Sequence, residues 1–425
     1  MKKFVALLLA LSMCLAACTG CGAIASGSNS GSVSHSSSES VDDTVPVDPS
    51  KVPDIPTEMI SDQLTGTLKV GTIGPLTGGA ALYGSSVANA ATIAVEEINS
   101  FNSAFQIQLS SQDDEHDAEK SVNAYNMLKD WGAQVIVGSS TSTPCAAVAT
   151  EAFTDRMFLL TPCASSPDVN KGKDNVFQVC FSDPNMGIAP AHFIVENFPD
   201  ARISMIYNNS DSYSSGVAQA FIAEAEKLGL EILSITTFPD DNTIDFSVQL
   251  NKAMSKGTDL LFLPIYYTPA SLIMHQADAM GYDSAMVGVD GMDGILGLKG
   301  FNTDLAEGVI MLTPFSASAG DAPTVNFVNK YHEKFKEIPS QFAADSYDAL
   351  YILYAALSYY ADNNGGLDVT NLSYQELCEI LIGVLTDSNF SVDGLTGLDM
   401  TWNPNGQVNK LPNTVVIKNG KYVGI

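Results

Sequence analysis

Short apolar strand candidates alternate with helical patterns of about ten to fifteen residues through most of this chain, and that order admits few architectures. Strand candidates at Thr67–Ile73, Phe105–Leu109, Val135–Val137 and Met157–Leu160 enclose helical patterns at Ser85–Asn99, Ala118–Trp131 and Ala146–Phe153. The alternation breaks near Phe181–Pro190. It resumes with strand candidates Ile203–Tyr207, Ile232–Thr236, Leu260–Leu263 and Met286–Val289 around helical patterns at Ser215–Leu228, Phe246–Lys256 and Ser271–Met280. The spacing then predicts helices over Thr324–Lys336 and Asp345–Tyr360, and strands over Thr414–Ile417 and Tyr422–Ile425. Repeated strand–helix units build parallel sheets with right-handed crossovers. A chain of 425 residues is too long for one core and suits two lobes. The expected fold class is therefore α/β, with two doubly wound parallel-sheet lobes. Such sheets bind ligands beyond the carboxyl ends of their strands, so two facing lobes imply a cleft.

The first residues do not belong to that pattern. Met1-Lys2-Lys3 is a short positive segment, and Phe4 to Leu15 is an apolar run of roughly a dozen residues, too short to span a bilayer. It ends in Leu15-Ala16-Ala17-Cys18. This resembles a bacterial lipoprotein signal, with residues 1–17 removed and Cys18 lipidated on the extracytoplasmic face of the cell membrane. Residues 18–65 are rich in Ser, Gly, Pro and Asp, as in SGSNSGSVSHSSSESVDD and PVDPSKVPDIP. That composition cannot bury enough apolar surface to offset its ordering entropy and reads as a tether. No later segment has the length and apolarity of a membrane span.

Composition excludes several functions. With 20 Lys+Arg against 48 Asp+Glu and a formal charge of −28, the chain lacks the basic footprint that nucleic acids or anionic lipid surfaces require. The acyl chains must therefore anchor it by hydrophobic burial alone. Seven cysteines are too few for a disulfide scaffold, and five histidines are scattered with no HExxH or CxxC…CxxC spacing. No metal and no cofactor is expected. Gly71-Thr-Ile-Gly74-Pro-Leu-Thr-Gly78-Gly79 follows the first strand but is neither GxGxxG nor GxxxxGK[ST], and no GxSxG elbow occurs. Asp113-Asp114-Glu115 reads as a solvated turn or as a metal or acid/base group. No nucleophile–base pair is suggested, and a binder rather than an enzyme is expected.

Val70-Gly-Thr-Ile-Gly-Pro-Leu-Thr-Gly78 followed by Tyr83-Gly84 resembles the opening of the type I periplasmic-binding-protein family, within it the leucine/isoleucine/valine-binding branch that serves ABC importers. Further matches follow in order: Val137-Gly-Ser-Ser-Thr-Ser142, Leu160-Thr-Pro-Cys-Ala-Ser-Ser-Pro167, Phe177–Asp183, Asp211–Gly216, Gly288-Val-Asp290-Gly291, Ser346-Tyr-Asp-Ala349 and Gly397–Gly406. The resemblance implies a hinge of three strands. Lobe 1 would be residues 66–184 and 314–400, and lobe 2 residues 185–313 and 401–425.

It also implies a site. Ser142 matches the serine that holds a ligand α-carboxylate, and it precedes Thr143-Pro144 at a helix start, where free N–H groups favour an anion. It could equally cap that helix, and both roles can coexist. Ser165 matches a threonine on the amino-acid head group, with Cys163 and Ala164 contributing backbone atoms. Tyr213 and Tyr266 match tyrosines that close over the ligand, Asp290 matches the acid for the α-amino group, and Tyr83 replaces an aromatic of the side-chain pocket. Asp290 also suits the start of the turn Asp290–Gly294.

Ser140 and Thr141 are more polar than the residues lining an aliphatic pocket. His116 and Thr141 stand where close relatives pair two cysteines, so Cys145, Cys163, Cys180 and Cys378 are expected free and buried. The expectation is a monomeric receptor that captures a free neutral amino acid and delivers it to a membrane permease. A ligand sensor engaging a signalling partner is the alternative.

Overall fold

The computed structural model describes residues 61–239, 242–410 and 412–425. The signal segment, Cys18 and nearly all of the expected tether lie outside them. Among the described residues the strands form two sheets. The first contains β1 (Leu64–Gly74), β2 (Phe105–Asp113), β3 (Val135–Val137), β4 (Phe158–Thr161), β5 (Val176–Gln178) and the short β11 (Leu367–Asp368). Its parallel order is β2-β1-β3-β4-β5. The second contains β6 (Ile203–Asn208), β7 (Ile232–Phe238), β8 (Leu260–Leu263), β9 (Ala285–Gly288), β10 (Ile310–Thr313), β12 (Asn413–Lys418) and β13 (Lys421–Gly424). Its order is β7-β6-β8-β9-β10-β12-β13, with β12 and β13 antiparallel. Each sheet reverses its strand order once, between β1 and β3 in one lobe and between β6 and β8 in the other. Those are the places where open α/β sheets accept ligands.

The strands β3, β4 and β5 are short and buried along their whole length because helices cover both faces of the first sheet. Val135 and Val137 belong to one buried cluster and Ile136 to another, as a two-residue period on a doubly covered sheet requires. The helices begin at local signals. Asp117 accepts a hydrogen bond from Lys120 N–H at the start of α2 (Ala118–Trp131), and Asp211 does so from Ser214 N–H at the start of α6 (Ser212–Leu228). The remaining helices that matter for the site are α1 (Ala81–Phe101), α3 (Ser142–Asp155), α5 (Asp183–Asn197), α8 (Tyr267–Ala279), α9 (Ala322–Phe335) and α10 (Gln341–Asn364).

The sequence reading is corrected in several places. Ser61 is already buried and bonds Asp362, and β1 starts at Leu64, so the fold begins before residue 66. The apparent break at 181–190 holds the first passage between lobes and then α5, which tolerates Pro184 in its first turn and Pro190 inside. An interior proline gives up one helical hydrogen bond, which the packing of this buried helix offsets. The expected boundary at residue 401 falls inside a hairpin that stays on the first lobe. Trp402 pairs with Val408, Trp402 Nε1–H donates to Gln178 O at 2.8 Å, and Gln178 N–H donates to Gly406 O at 2.9 Å. Residues up to Lys410 therefore stay with the first lobe, and β12 from Asn413 belongs to the second sheet. The four cysteines 145, 163, 180 and 378 are free and buried.

Candidate functional site

The site grows from the carboxyl ends of β1 and β3 in one lobe and of β6, β8 and β9 in the other. Beyond β1 the Gly-rich loop is tied down by Asp113, whose carboxylate accepts from Leu76 N–H at 2.8 Å and Thr77 Oγ1 at 2.6 Å. Asp114 is fully buried and accepts from Ser139 and Ser121 and from the His116 amide. Burial raises its carboxyl above the usual range, against those hydrogen bonds. Glu115 pairs with Lys120 at 2.6 Å. The acidic run thus scaffolds two loops. Glu115 is exposed in the turn that follows β2, Asp113 is half-buried and Asp114 buried, and among the described residues no group of three His, Cys, Asp or Glu side chains could hold a metal.

The loop delivers Tyr83, in the first turn of α1, into the cleft. Gly84 follows because any Cβ there would run into the Pro75 backbone. The Tyr83 hydroxyl donates to Gly291 O of the opposite lobe at 2.5 Å and accepts from Tyr267 N–H at 3.3 Å. Its ring meets Tyr266, Tyr267 and Phe342 edge-on. Beyond β3, Thr141 is the N-cap of α3 but makes no side-chain capping bond, its hydroxyl pairing instead with His116 Nδ1 at 2.8 Å. Ser142 is the first helical residue, and its Oγ accepts from Ser166 N–H at 3.2 Å. Ser142 is therefore not the cap that the sequence allowed. The helix cannot pair the first-turn N–H groups of Ser142 and Thr143, so this end of the cleft favours a carboxylate.

The opposite lobe supplies Asp290, at the end of β9. It is 2% exposed and accepts from Tyr213 OH at 2.7 Å and Gln341 Nε2–H at 3.1 Å. Burial pushes its carboxyl up to about 7, against the pull of those two donors and Gly291 N–H. Such a carboxylate gains if a cation is brought against it. Tyr213 lies flat on Tyr266, with ring centroids 5.0 Å apart, and its hydroxyl accepts from Gly291 N–H at 2.9 Å. Gly291 must be glycine here, since a Cβ would sit 2.5 Å from that hydroxyl.

One cavity between the lobes is lined by Tyr83, Ser140, Ser142, Cys163, Tyr213, Tyr266 and Asp290, seven residues singled out from the sequence. Ala164 and Ser165 are not on its wall. Both are buried behind Cys163, where Ala164 N–H donates to Thr161 Oγ1 and Ser165 O accepts from Asp183 N–H. Thr141, Gly291 and Phe342 also line the cavity. Thr141 and Gly291 sit inside motifs already noted. Phe342 escaped because α10 begins at Gln341, four residues before the expected start, and nothing local marks an exposed-looking Gln-Phe pair as cleft wall. Gln341 is 1% exposed; its amide N–H donates to Asp293 at 2.7 Å and its side chain accepts from Thr313 Oγ1 at 2.7 Å.

A family profile described as periplasmic binding protein matches residues 67–371. A Leu/Ile/Val-binding protein of Rhizobium johnstonii is 28% identical over 302 residues, covering 68% of this chain and 78% of that protein. Among solved structures, the branched-chain amino acid transporter substrate binding protein of Streptococcus pneumoniae, in complex with isoleucine, superimposes with a TM-score of 0.74 at 26% identity, covering 84% of this chain and 97% of that one. A solute binding protein of R. palustris in complex with benzoate reaches the same TM-score at 17% identity, covering 85% and 96%, and shares the fold alone. By its profile match, its relatives and its two doubly wound lobes, the chain belongs to the type I periplasmic-binding-protein family, in the branch of the leucine/isoleucine/valine-binding proteins of ABC transporters.

Proposed function

We propose that this chain is the extracytoplasmic substrate-binding lipoprotein of an ABC importer, which captures a free neutral α-amino acid, branched-chain or other, between its lobes and hands it to a membrane permease. The observation that carries the reading is the opposition of two charge preferences across one cavity. The α3 N-terminus with Ser142 favours a carboxylate on one lobe, and the buried Asp290 with Tyr213 favours an ammonium on the other. A zwitterion satisfies both ends at once. The relatives' printed ligands, leucine, isoleucine and valine, support the same class. Capture rather than turnover is the reading, in keeping with the relatives' names as binding proteins. Closure is a hinge motion about the three passages, and the closed lobe surfaces are what a permease would read.

Calorimetric titration of free amino acids tests the reading. Ser142→Ala removes one hydrogen bond to an anion, worth roughly 1.5–3 kcal/mol, so affinity is expected to fall about ten- to a hundredfold, while the ligand-free protein melts somewhat lower because the buried Ser166 N–H loses its acceptor. Retained affinity would leave Ser142 only its bond to Ser166. Lipid anchoring through Cys18 and a tether ahead of the first lobe complete the proposal. Cys18→Ala is expected to move the protein from the membrane fraction to the soluble fraction; a variant that still pellets with membranes is anchored elsewhere.

A further inference from the structure

Gln341 is not on the cavity wall, yet it holds both carboxylates of the turn that carries Asp290. It is the first residue of α10 in the first lobe. Its amide N–H, which no acceptor within the helix reaches, donates to Asp293 of the second lobe at 2.7 Å. Its side-chain Nε2–H donates to Asp290 Oδ2 at 3.1 Å. Its Oε1 accepts from Thr313 Oγ1 at 2.7 Å, the nearer of two acceptors for that hydroxyl. Thr313 ends β10, where the chain leaves the second sheet. Gln341, Asp290 and Thr313 are each 2% exposed or less, so bulk water does not stand in for these bonds. Chemistry fixes the direction of the amide. A carboxylate only accepts and a hydroxyl can donate, so the nitrogen faces Asp290 and the oxygen faces Thr313.

Asp290 needs this donor. Burial works against its charge, and the buried carboxyls of Asp345 and Asp183 add repulsion. Tyr213 OH, from the second lobe, is spent on Oδ1, and Gln341, from the first lobe, serves Oδ2. A donor to the ionised form favours it. With one oxygen held from each lobe the carboxylate cannot turn, and each oxygen keeps a further lone pair for a ligand.

We propose that Gln341, oriented by Thr313, is the positioning residue for ammonium recognition: it holds and aims the Asp290 carboxylate and so ties the ligand's amino group to contact between the lobes. This rests on the amino-acid reading above and deepens it. A bond that merely joined the lobes would weaken binding alike with or without the Asp290 charge. A positioning bond costs affinity chiefly where that charge is present.

Gln341→Met keeps the length of the side chain, removes its polar end and leaves the backbone bond to Asp293. Calorimetry on the full-length protein first screens the common L-amino acids. The tightest binder is then titrated into Gln341→Met, Asp290→Asn and the double variant. Gln341→Met is expected to weaken it roughly ten- to a hundredfold in the wild-type background, and at least about fivefold less in the Asp290→Asn background, where no bond to a charge is lost. A smaller difference between the backgrounds overturns the inference and leaves the amino-acid reading standing. Binding of no free amino acid by the wild type overturns both. Should Gln341→Met fail to fold, Thr313→Val decides by the same comparison. It keeps the shape and frees the amide to turn, so a loss of about threefold, confined to the wild-type background, is expected, and an equal loss in both backgrounds, or none, overturns the inference.

Discussion

Asp290→Asn is expected to weaken binding of an α-amino acid by about thirtyfold to several thousandfold, while the corresponding deaminated acid, which has no ammonium to lose, binds nearly as before. The basis is the position of Asp290 opposite the α3 N-terminus in a closed cavity. Removing one partner of a buried charge pair costs roughly 2–5 kcal/mol, which sets that range. Asparagine keeps the shape and one acceptor for Tyr213 OH, so the measured loss reports the charge. Parallel titrations of both ligands check it; equal weakening of the two, or of neither, means that Asp290 does not hold an ammonium. Asp293 would be a poor control, although the sequence makes it look like a turn residue whose loss changes little. It is 4% exposed, its carboxylate receives the N–H groups of Gln341 and Gly294 at 2.7 Å each, and burial pushes it up to about 6. Exposed Asp304 on the same lobe serves instead.

Lys410→Met is expected to cost about 3–5 kcal/mol of stability, the penalty for stranding a buried charge, and to lower the melting temperature by roughly 5–10 °C. Lys410 Nζ sits 2.8 Å from Asp345 Oδ1 with both side chains 1% exposed or less, and it also reaches Thr396 Oγ1. Burial raises the Asp345 carboxyl even against the pull of Lys410, and Asp345 Oδ2 has no other partner. Lys410 is the last residue described on the first lobe before β12 of the second sheet, so the pair holds the end of that lobe in place. Adding Asp345→Leu should recover most of the loss, since replacing a whole buried pair by apolar groups is often neutral or stabilising. Thermal unfolding of wild type, Lys410→Met and the double variant checks this, and a double variant no more stable than the single one would uncouple the two residues.

The sequence by itself determined what depends on neighbours a few residues away. Short apolar runs and helical spacing marked β1 to β4 and β6 to β9; for β3, β4, β8 and β9, buried along their whole length, a continuous apolar run is what burial on both faces requires. Side-chain caps such as Asp117 and Asp211 marked helix starts, because the bond spans three residues. The motif residues Tyr83, Ser142, Tyr213 and Asp290 came from the resemblance of their motifs to a known family, and the fold brings the four to one cavity. Tertiary structure alone decided the rest. It gave the capping position to Thr141 and turned Ser142 towards Ser166. It brought Phe342 beside Tyr83 at 4.5 Å and Gln341 beside Asp290, over separations that no local pattern spans. It held residues 402–408 on the first lobe through Gln178, and it buried Lys410 against Asp345. A polar group taken out of water must find a partner wherever the chain crossings bring one, and those partners exist only once both lobes are folded.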